Sequence, residues 1–409
     1  MIVDPLDIMM NLEQVIPYYQ PIVSADTREV IGYEVKAYYQ EGEGERQRLD
    51  WFFKDPSIPH DFQLEVNSKI QQKALDDFLT ADSSSSLLFI NYDARLLFKD
   101  DGETLLTLLQ SYEEKGLNLS RIVIELKEEH ITDEMESLDT LFKYMKTLGI
   151  QIALDDVGKT NGNLGQMALF EPNIVKIDVS FLKDDALPHL YRDVHYSISM
   201  LARKIGATLL FKGISTYNQF NYAWRNGGRY YQGRYLGQSQ QEFAEEDSCK
   251  EKIERDFQLF VQFEKKKMKA QLELASRINK QFDETLPNIK SDAPFDEIIF
   301  TVGHACSQFA FRVYICNDEG IQLSSNAEKN KDGDWELHYE GRLKNWSWRP
   351  YFFENIVRMN VEKKGILSDL YTDIERDEQI RTYSYPLSEK SYIFIDIPYD
   401  YLYEQEGLL

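Results

Sequence analysis

Apolar residues in the first part of this chain come in short runs that alternate with longer amphipathic stretches. The runs "YYQPIVSA", "EVIGYEVKAYY", "SLLFINYD", "IVIELK", "QIALDDV", "IVKIDVSF", "ATLLFKG" and "YYQGRYLG" predict strands. Between them lie "LEVNSKIQQKALDDFL", "TLLTLLQSYEEKG", "MESLDTLFKYMKTLG", "LYRDVHYSISMLARKIG" and "YNQFNYAWRNGG". Their apolar residues recur at spacings of three and four and each closes near a glycine, which predicts helices. Strand and helix alternating from about residue 14 to 245 predict a (β/α) barrel or a doubly wound sheet. The opening hairpin "PIVSADTREVIGYE", turning at Asp26–Thr27, adds one antiparallel strand and makes a barrel irregular.

The pattern then changes twice. Residues 243–285 lack glycine and proline, are dense in charge, and carry a broken apolar stripe of Ile253, Phe257, Phe260, Val261, Met268, Leu272 and Ile278. This predicts a long connecting helix that serves as a spacer, a coupling arm or a dimer seam; the stripe is too irregular to require a coiled coil. Further on, "PFDEIIFTVGHACSQF" predicts a helix and "RVYICNDEGIQLSSN" a hairpin around Asp-Glu-Gly. "RTYSYPLS" and "SYIFIDIPYDYL" supply more strands. The expected organisation is a barrel over 1–242, a connecting helix over 243–288 and a small α+β domain over 289–409.

Composition narrows the function classes. The 409 residues carry a net charge of −23, which argues against a broad basic surface for DNA, RNA or anionic membrane. A small phosphorylated ligand remains compatible if metals or a local cluster of Lys and Arg receive it. The start "MIVDPLDIMMNLEQ" lacks the basic head and apolar core of a signal peptide, and no apolar run reaches the ~20 residues that span a bilayer. Three cysteines without zinc-type spacing fit reduced thiols, so a cytoplasmic location is expected.

In a barrel of parallel strands the chemistry gathers at the strands' C-terminal ends. Those ends carry Asn91, Glu125, Asp155 with Asp156, Lys176 with Asp178, Lys212 and Gln232, with Glu34 on an earlier strand. A single strand-end acid is commonly a cap or loop anchor. Several carboxylates and an amide on one rim repel one another unless cations lie between them, and oxygen-rich clusters of this kind suit Mg²⁺, Mn²⁺ or Ca²⁺.

These segments, in this order, resemble the EAL domains, barrel phosphodiesterases that hydrolyse the bacterial messenger cyclic di-GMP to a linear dinucleotide. "YYQPIV" looks like the family's opening motif, and "GYEVKAYY" sits where Glu-Ala-Leu stands, with Glu34 retained. "INYD", "IELKEE", "LDDVGKTNGNL", "PNIVKIDVSF" and "YYQGRYLG" match its later motifs. The resemblance implies an EAL-type (β/α) barrel in which Glu34, Asn91, Glu125 and Asp155 hold a divalent cation and Asp156 helps hold a second. It also implies that Lys176 faces the attacked phosphate, and that Gln20, Val35, Lys36, Asp178, Gln232 and Gly233 border the ligand. Glu128 would brace the loop after Asp156. The family commonly dimerises, which implies a homodimer.

The chain also departs from that pattern. Where the family's penultimate barrel strand ends in Glu-Gly-Val-Glu-Thr, this chain reads Lys212-Gly213-Ile214-Ser215-Thr216. An ammonium has no lone pair for a metal and repels a nearby cation. A ligand-binding arginine becomes Tyr38, and Phe-Gly-Thr-Gly becomes Val157-Gly158-Lys159-Thr160. The expectation is a cytoplasmic cyclic di-GMP-binding signalling protein whose hydrolysis is weak or absent, with Lys212 at the degenerate catalytic position. An active metal-dependent phosphodiesterase and a nucleotide-independent scaffold are the alternatives. The last domain resembles PAS/Cache sensor folds, which implies a small-ligand pocket at Trp348, Arg349, Tyr351, Asp369 and Tyr371.

Overall fold

The computed structural model describes residues 3–40, 46–81, 85–128, 131, 138–158, 164–182, 189–349 and 352–404. The chain forms two compact units, Met1–Gln258 and Leu259–Leu409.

In the first unit the strands are β1 (Val15–Ser24), β2 (Val30–Gln40), β3 (Arg46–Arg48), β4 (Leu87–Tyr92), β5 (Ile122–Lys127), β6 (Gln151–Asp155), β7 (Ile174–Asp178), β8 (Thr208–Lys212) and β9 (Tyr230–Gln232). Among the described residues eight of them close in the order β1-β9-β8-β7-β6-β5-β4-β2, with β2 returning to β1. Strand β1 runs antiparallel to both of its neighbours, and the remaining barrel pairs are parallel. The edge of β2 that pairs with β4 through Gly32–Glu34 pairs further along, through Tyr38–Gln40, with β3. That three-residue strand was not expected from the sequence.

The helices of this unit are α1 (Pro5–Met10), α2 (His60–Thr80), α3 (Ala94–Lys99), α4 (Glu103–Glu113), α5 (Leu138–Thr147), α6 (Leu164–Phe170), α7 (His189–Ile205) and α8 (Tyr217–Arg225). A capping box starts α8: Thr216 Oγ1 accepts the Gln219 N–H, and the Gln219 side chain accepts the Thr216 N–H at 3.2 Å. The Lys212–Thr216 segment is thereby tied to a helix start.

Side-chain alternation along the barrel strands places the site. Ile22, Phe89, Val123, Ala153, Ile174 and Leu210 form one buried apolar cluster. Two residues further along the same strands, on the same face, come Asn91, Glu125, Asp155, Lys176 and Lys212. The apolar layer therefore floors a polar mouth.

Helix α9 (Lys250–Thr285) lies within the 243–288 stretch expected to form a long connecting helix. Its start packs on the barrel, with Phe257 stacked on Phe220 at 5.6 Å, while Leu274, Ile278 and Phe282 belong to the second unit's core. Of the apolar stripe read from the sequence, Ile253, Phe260 and Ile278 are buried, whereas Val261, Met268 and Leu272 are exposed.

The second unit contains α10 (Phe295–Ala305), β10 (Arg312–Asn317), β11 (Asn326–Lys329), β12 (Trp335–His338), α11 (Phe352–Glu362), β13 (Ile366–Leu367), β14 (Tyr371–Asp373), β15 (Glu378–Ser388), β16 (Ser391–Pro398) and α12 (Tyr399–Glu404). Its antiparallel sheet has the order β12-β11-β10-β16-β15-β13, with β14 on β15. Val313, Ile315, Ile393 and Ile395 face one cluster with α10; Tyr314, Cys316, Tyr392 and Phe394 face the other with α11. The hairpin expected directly after Asn317 is looser than its alternation suggests. A single bridge joins Cys316 to Gln322, Ser324 Oγ takes the Ile315 N–H at 2.8 Å, and the regular ladder on β10 resumes at Ala327. The three cysteines are buried and unbridged, and no described helix is long and apolar enough to cross a membrane.

Candidate functional site

At the C-terminal mouth of the barrel lies a cavity of ≈ 630 Å³, a size suited to a ligand rather than to a few waters. Gln20, Glu34, Val35, Lys36, Asn91, Asp155, Asp156, Asp178, Lys212, Gln232 and Gly233 line it. Glu125 and Lys176 lie beneath this surface, both buried.

Glu34 is the hub. It is 1% exposed, and Gln20 stands directly across the β1–β2 ladder from it. Its Oε2 accepts hydrogen bonds from Lys176 Nζ at 3.0 Å and from Gln232 Nε2 at 2.6 Å. Its Oε1 accepts from Asn91 Nδ2 at 3.3 Å and from Lys36 Nζ. Burial alone would raise the Glu34 carboxyl, but the ammonium groups of Lys176, Lys36 and Lys212 hold it well below the usual carboxylate range.

Glu125 behaves differently. Burial, and then the neighbouring charge of Glu34, push it up to about 8 against the pull of Lys176, which also donates to its Oε1. Burial disfavours the Lys176 ammonium, yet Glu125, Glu34 and Asp155 keep its pKa raised and the group charged.

Lys212 closes the other side. Its Nζ lies 2.7 Å from Asp155 and 3.0 Å from Asp156 Oδ1. Burial works against the charge, but Asp155 leads the carboxylates that raise its pKa. The rim repulsion that suggested metal ions from sequence is thus balanced largely by this chain's own ammonium groups. Asp156 adopts φ +59°, an uncommon conformation for a residue other than glycine, and its N–H donates to Asp155 Oδ1 at 2.9 Å. Glu128 Oε2 accepts the Gly158 N–H at 3.2 Å, while Lys159 and Thr160 lie outside the described residues.

The donor set suits one divalent cation better than two. Glu125 Oε2 is buried without a hydrogen-bond partner, near the oxygen-bearing side chains of Glu34 and Asn91. An orphan carboxylate oxygen among hard donors is the arrangement that Mg²⁺ or Ca²⁺ completes. Asp156, expected to help hold a second ion, faces the Lys212 ammonium at 3.0 Å. Among the described residues no group of three His, Cys, Asp or Glu side chains is already gathered around a metal position.

The cavity also contains residues that the sequence reading did not single out: Arg48, Asp50, Phe53, Lys54, Lys127 and Arg234. Lys127 could have been found, because it stands opposite Asp155 at the end of β5. Arg48 to Lys54 follow no strand or helix period.

In the second unit, Arg349 and Tyr371 line a small cavity with Tyr314, Trp346, Phe352 and Phe394. The Arg349 guanidinium lies 4.5 Å from the Trp346 ring centre. Trp348 is 63% exposed and Asp369 is exposed, and neither lines this cavity; Tyr351 lies outside the described residues.

Known proteins agree with the barrel. The EAL domain family matches residues 5–239, and a family described as an EAL-domain associated signalling protein domain matches 243–409. An uncharacterized EAL-domain containing protein of Bacillus subtilis, YkuI, is 45% identical over 408 residues, covering 99% of this chain and 100% of that one. The crystal structure of YkuI in complex with substrate c-di-GMP and calcium superposes with a TM-score of 0.91 and covers 100% of both chains. A probable cyclic di-GMP phosphodiesterase of Escherichia coli, PdeB, is 26% identical over 53% of this chain and 41% of its own length. With a family model matched over more than half of its residues and a relative 45% identical along its whole length, this chain belongs to the EAL-domain family.

Proposed function

We propose that this protein binds cyclic di-GMP at the barrel mouth as a signalling receptor, and that it hydrolyses the messenger weakly or not at all. The likeness to YkuI, whose structure holds c-di-GMP and calcium, supports the ligand. The observation that carries the second half is Lys212, whose ammonium contacts both Asp155 and Asp156.

The chemistry follows from charge. Cleaving a phosphodiester needs a nucleophile generated near the phosphorus and cations that stabilise the charge developing on its oxygens. A bound divalent ion, held by Glu34, Asn91, Glu125 and Asp155, would supply Lewis acidity. On the Asp155–Asp156 side an ammonium stands, which can neutralise phosphate charge but cannot activate a water. Lys176 remains charged and buried beneath the cavity wall beside Glu34 and Glu125, where it holds these carboxylates in place and does not accept a proton. Lys36 and Lys212 add positive charge to the cavity wall, which favours retention of an anionic dinucleotide.

Calorimetric titration with cyclic di-GMP, in calcium and again in a chelator, tests the receptor half. Saturable binding is expected in both, weaker in the chelator. No heat and no thermal protection at millimolar ligand would remove it.

A further inference from the structure

Strand β3 brings to the cavity rim a group of side chains that the polar centre does not explain. Arg48 stands opposite Tyr38 on β2, and the Leu49 N–H donates to the Ala37 carbonyl at 2.9 Å, so the ladder holds this segment in register. Leu49 and Phe52 are fully buried, and Gln63 Nε2 donates to the Phe52 carbonyl at 3.0 Å. These anchors fix Arg48, Asp50 and Phe53, all of which line the cavity. Arg48 pairs with Asp50 through its Nε. Among the described residues its terminal guanidinium nitrogens carry no other ion pair, and both side chains are nearly half exposed (44% and 47%).

Arg48 and Asp50 belong to no core, Phe53 rests edge-on against Phe52 at 5.6 Å, and together the three match one chemical object. A guanidinium can donate two hydrogen bonds to the O6 and N7 of guanine. A carboxylate accepts two parallel N–H bonds, the pattern guanine offers at N1 and its exocyclic N2. An aromatic face such as Phe53 stacks on any base. Adenine reverses the pattern: it places a donor where guanine has O6, and its N1 is an acceptor that a carboxylate repels.

We infer that Arg48, Asp50 and Phe53 form a guanine-reading rim, by which the barrel selects one purine base of a cyclic dinucleotide whose phosphates lie deeper, near Lys36 and Lys212. This rests on the proposed function and adds the residues that set base specificity. The exposed Arg48–Asp50 pair contributes little to stability, so its removal should leave the fold intact.

The test is calorimetric titration of wild type, Arg48→Ala and Asp50→Ala with cyclic di-GMP and with cyclic di-AMP in calcium, each variant first checked for an unchanged melting temperature. Wild type is expected to prefer cyclic di-GMP, and each variant to lose about tenfold of that affinity while its cyclic di-AMP affinity stays within about twofold. Asp50→Asn, which keeps the shape and loses the double acceptor, should show the same loss. Variants that bind cyclic di-GMP as wild type does, or that lose both dinucleotides equally, overturn the rim. Wild type binding neither dinucleotide instead overturns the receptor reading, and this inference with it.

Discussion

At the scale of single residues, the account turns on which cation meets which carboxylate. Glu34 receives Lys36, Lys176, Asn91 and Gln232, whereas Asp155 and Asp156 receive Lys212. Backbone closeness matters as much as charge. A Cβ on Gly213, which has φ +76°, would come within 2.6 Å of Asp178 Oδ1, and one on Gly233 within 2.0 Å of the Ile214 carbonyl oxygen. Because Ile214 donates its N–H to the Gln232 carbonyl and cannot retreat freely, Gly233→Ala should destabilise the barrel by about 3 kcal/mol. The urea midpoint would report this, and an unchanged midpoint would show that the β8 and β9 ends separate easily.

At the scale of elements, α8 holds the Lys212–Thr216 segment in place. Gln219 Nε2 donates to the carbonyls of Val179 and Leu182, both at 3.1 Å, while its Oε1 accepts from Ser215 and Thr216. Thr216→Ala, which removes only the cap, should cost about 1 kcal/mol in equilibrium unfolding. Gln219→Ala should cost more, because it strands several buried backbone groups. The elements also show what could be read from sequence. Strands β4 to β8 were legible because each is buried on both faces and ends in a polar residue. Strand β3 was not, because three residues of Arg-Gln-Arg carry no apolar alternation and owe their conformation to an edge of β2. Helix α9 was legible as a helix, but not which of its apolar residues pack, since Val261, Met268 and Leu272 of the apparent stripe are exposed. The site's carboxylates could be found at strand ends. Their clamping was only half legible: Lys36 lies two residues from Glu34 on one strand face, whereas Lys212 reaches Asp155 only once the barrel strands assemble.

At the scale of the molecule, each unit buries its own charge network. In the second, Arg312 pairs with Asp396 at 2.6 Å, with Glu375 at 3.2 Å and with Asp373. Burial would raise Asp373, but the Arg312 guanidinium and the backbone N–H groups of Arg376 and Glu375 hold it below its ordinary 3.8. A carboxyl lowered on folding contributes stability in full above its unfolded value and loses it as pH falls through the folded one. Hydrogen exchange at β15 should therefore accelerate as the pH drops below about 3.8, beyond the intrinsic pH trend. Asp373→Asn should flatten that dependence while lowering protection at neutral pH by about 2 kcal/mol. An unaltered acid limb in the variant would assign the dependence elsewhere.

Against a whole-molecule charge of −23, the barrel mouth is a nearly balanced exception, with Lys36, Arg48, Lys54, Lys127, Lys212 and Arg234 offsetting Glu34, Asp50, Asp155, Asp156 and Asp178. Whether that mouth reads the messenger or cleaves it comes down to Lys212. The most direct measurement is chromatographic turnover of cyclic di-GMP by wild type and by Lys212→Glu, side by side in Mg²⁺ or Mn²⁺. Little or no linear dinucleotide from wild type and clear product from Lys212→Glu is the predicted result. Rapid hydrolysis by wild type, abolished rather than enhanced by the substitution, would contradict the account.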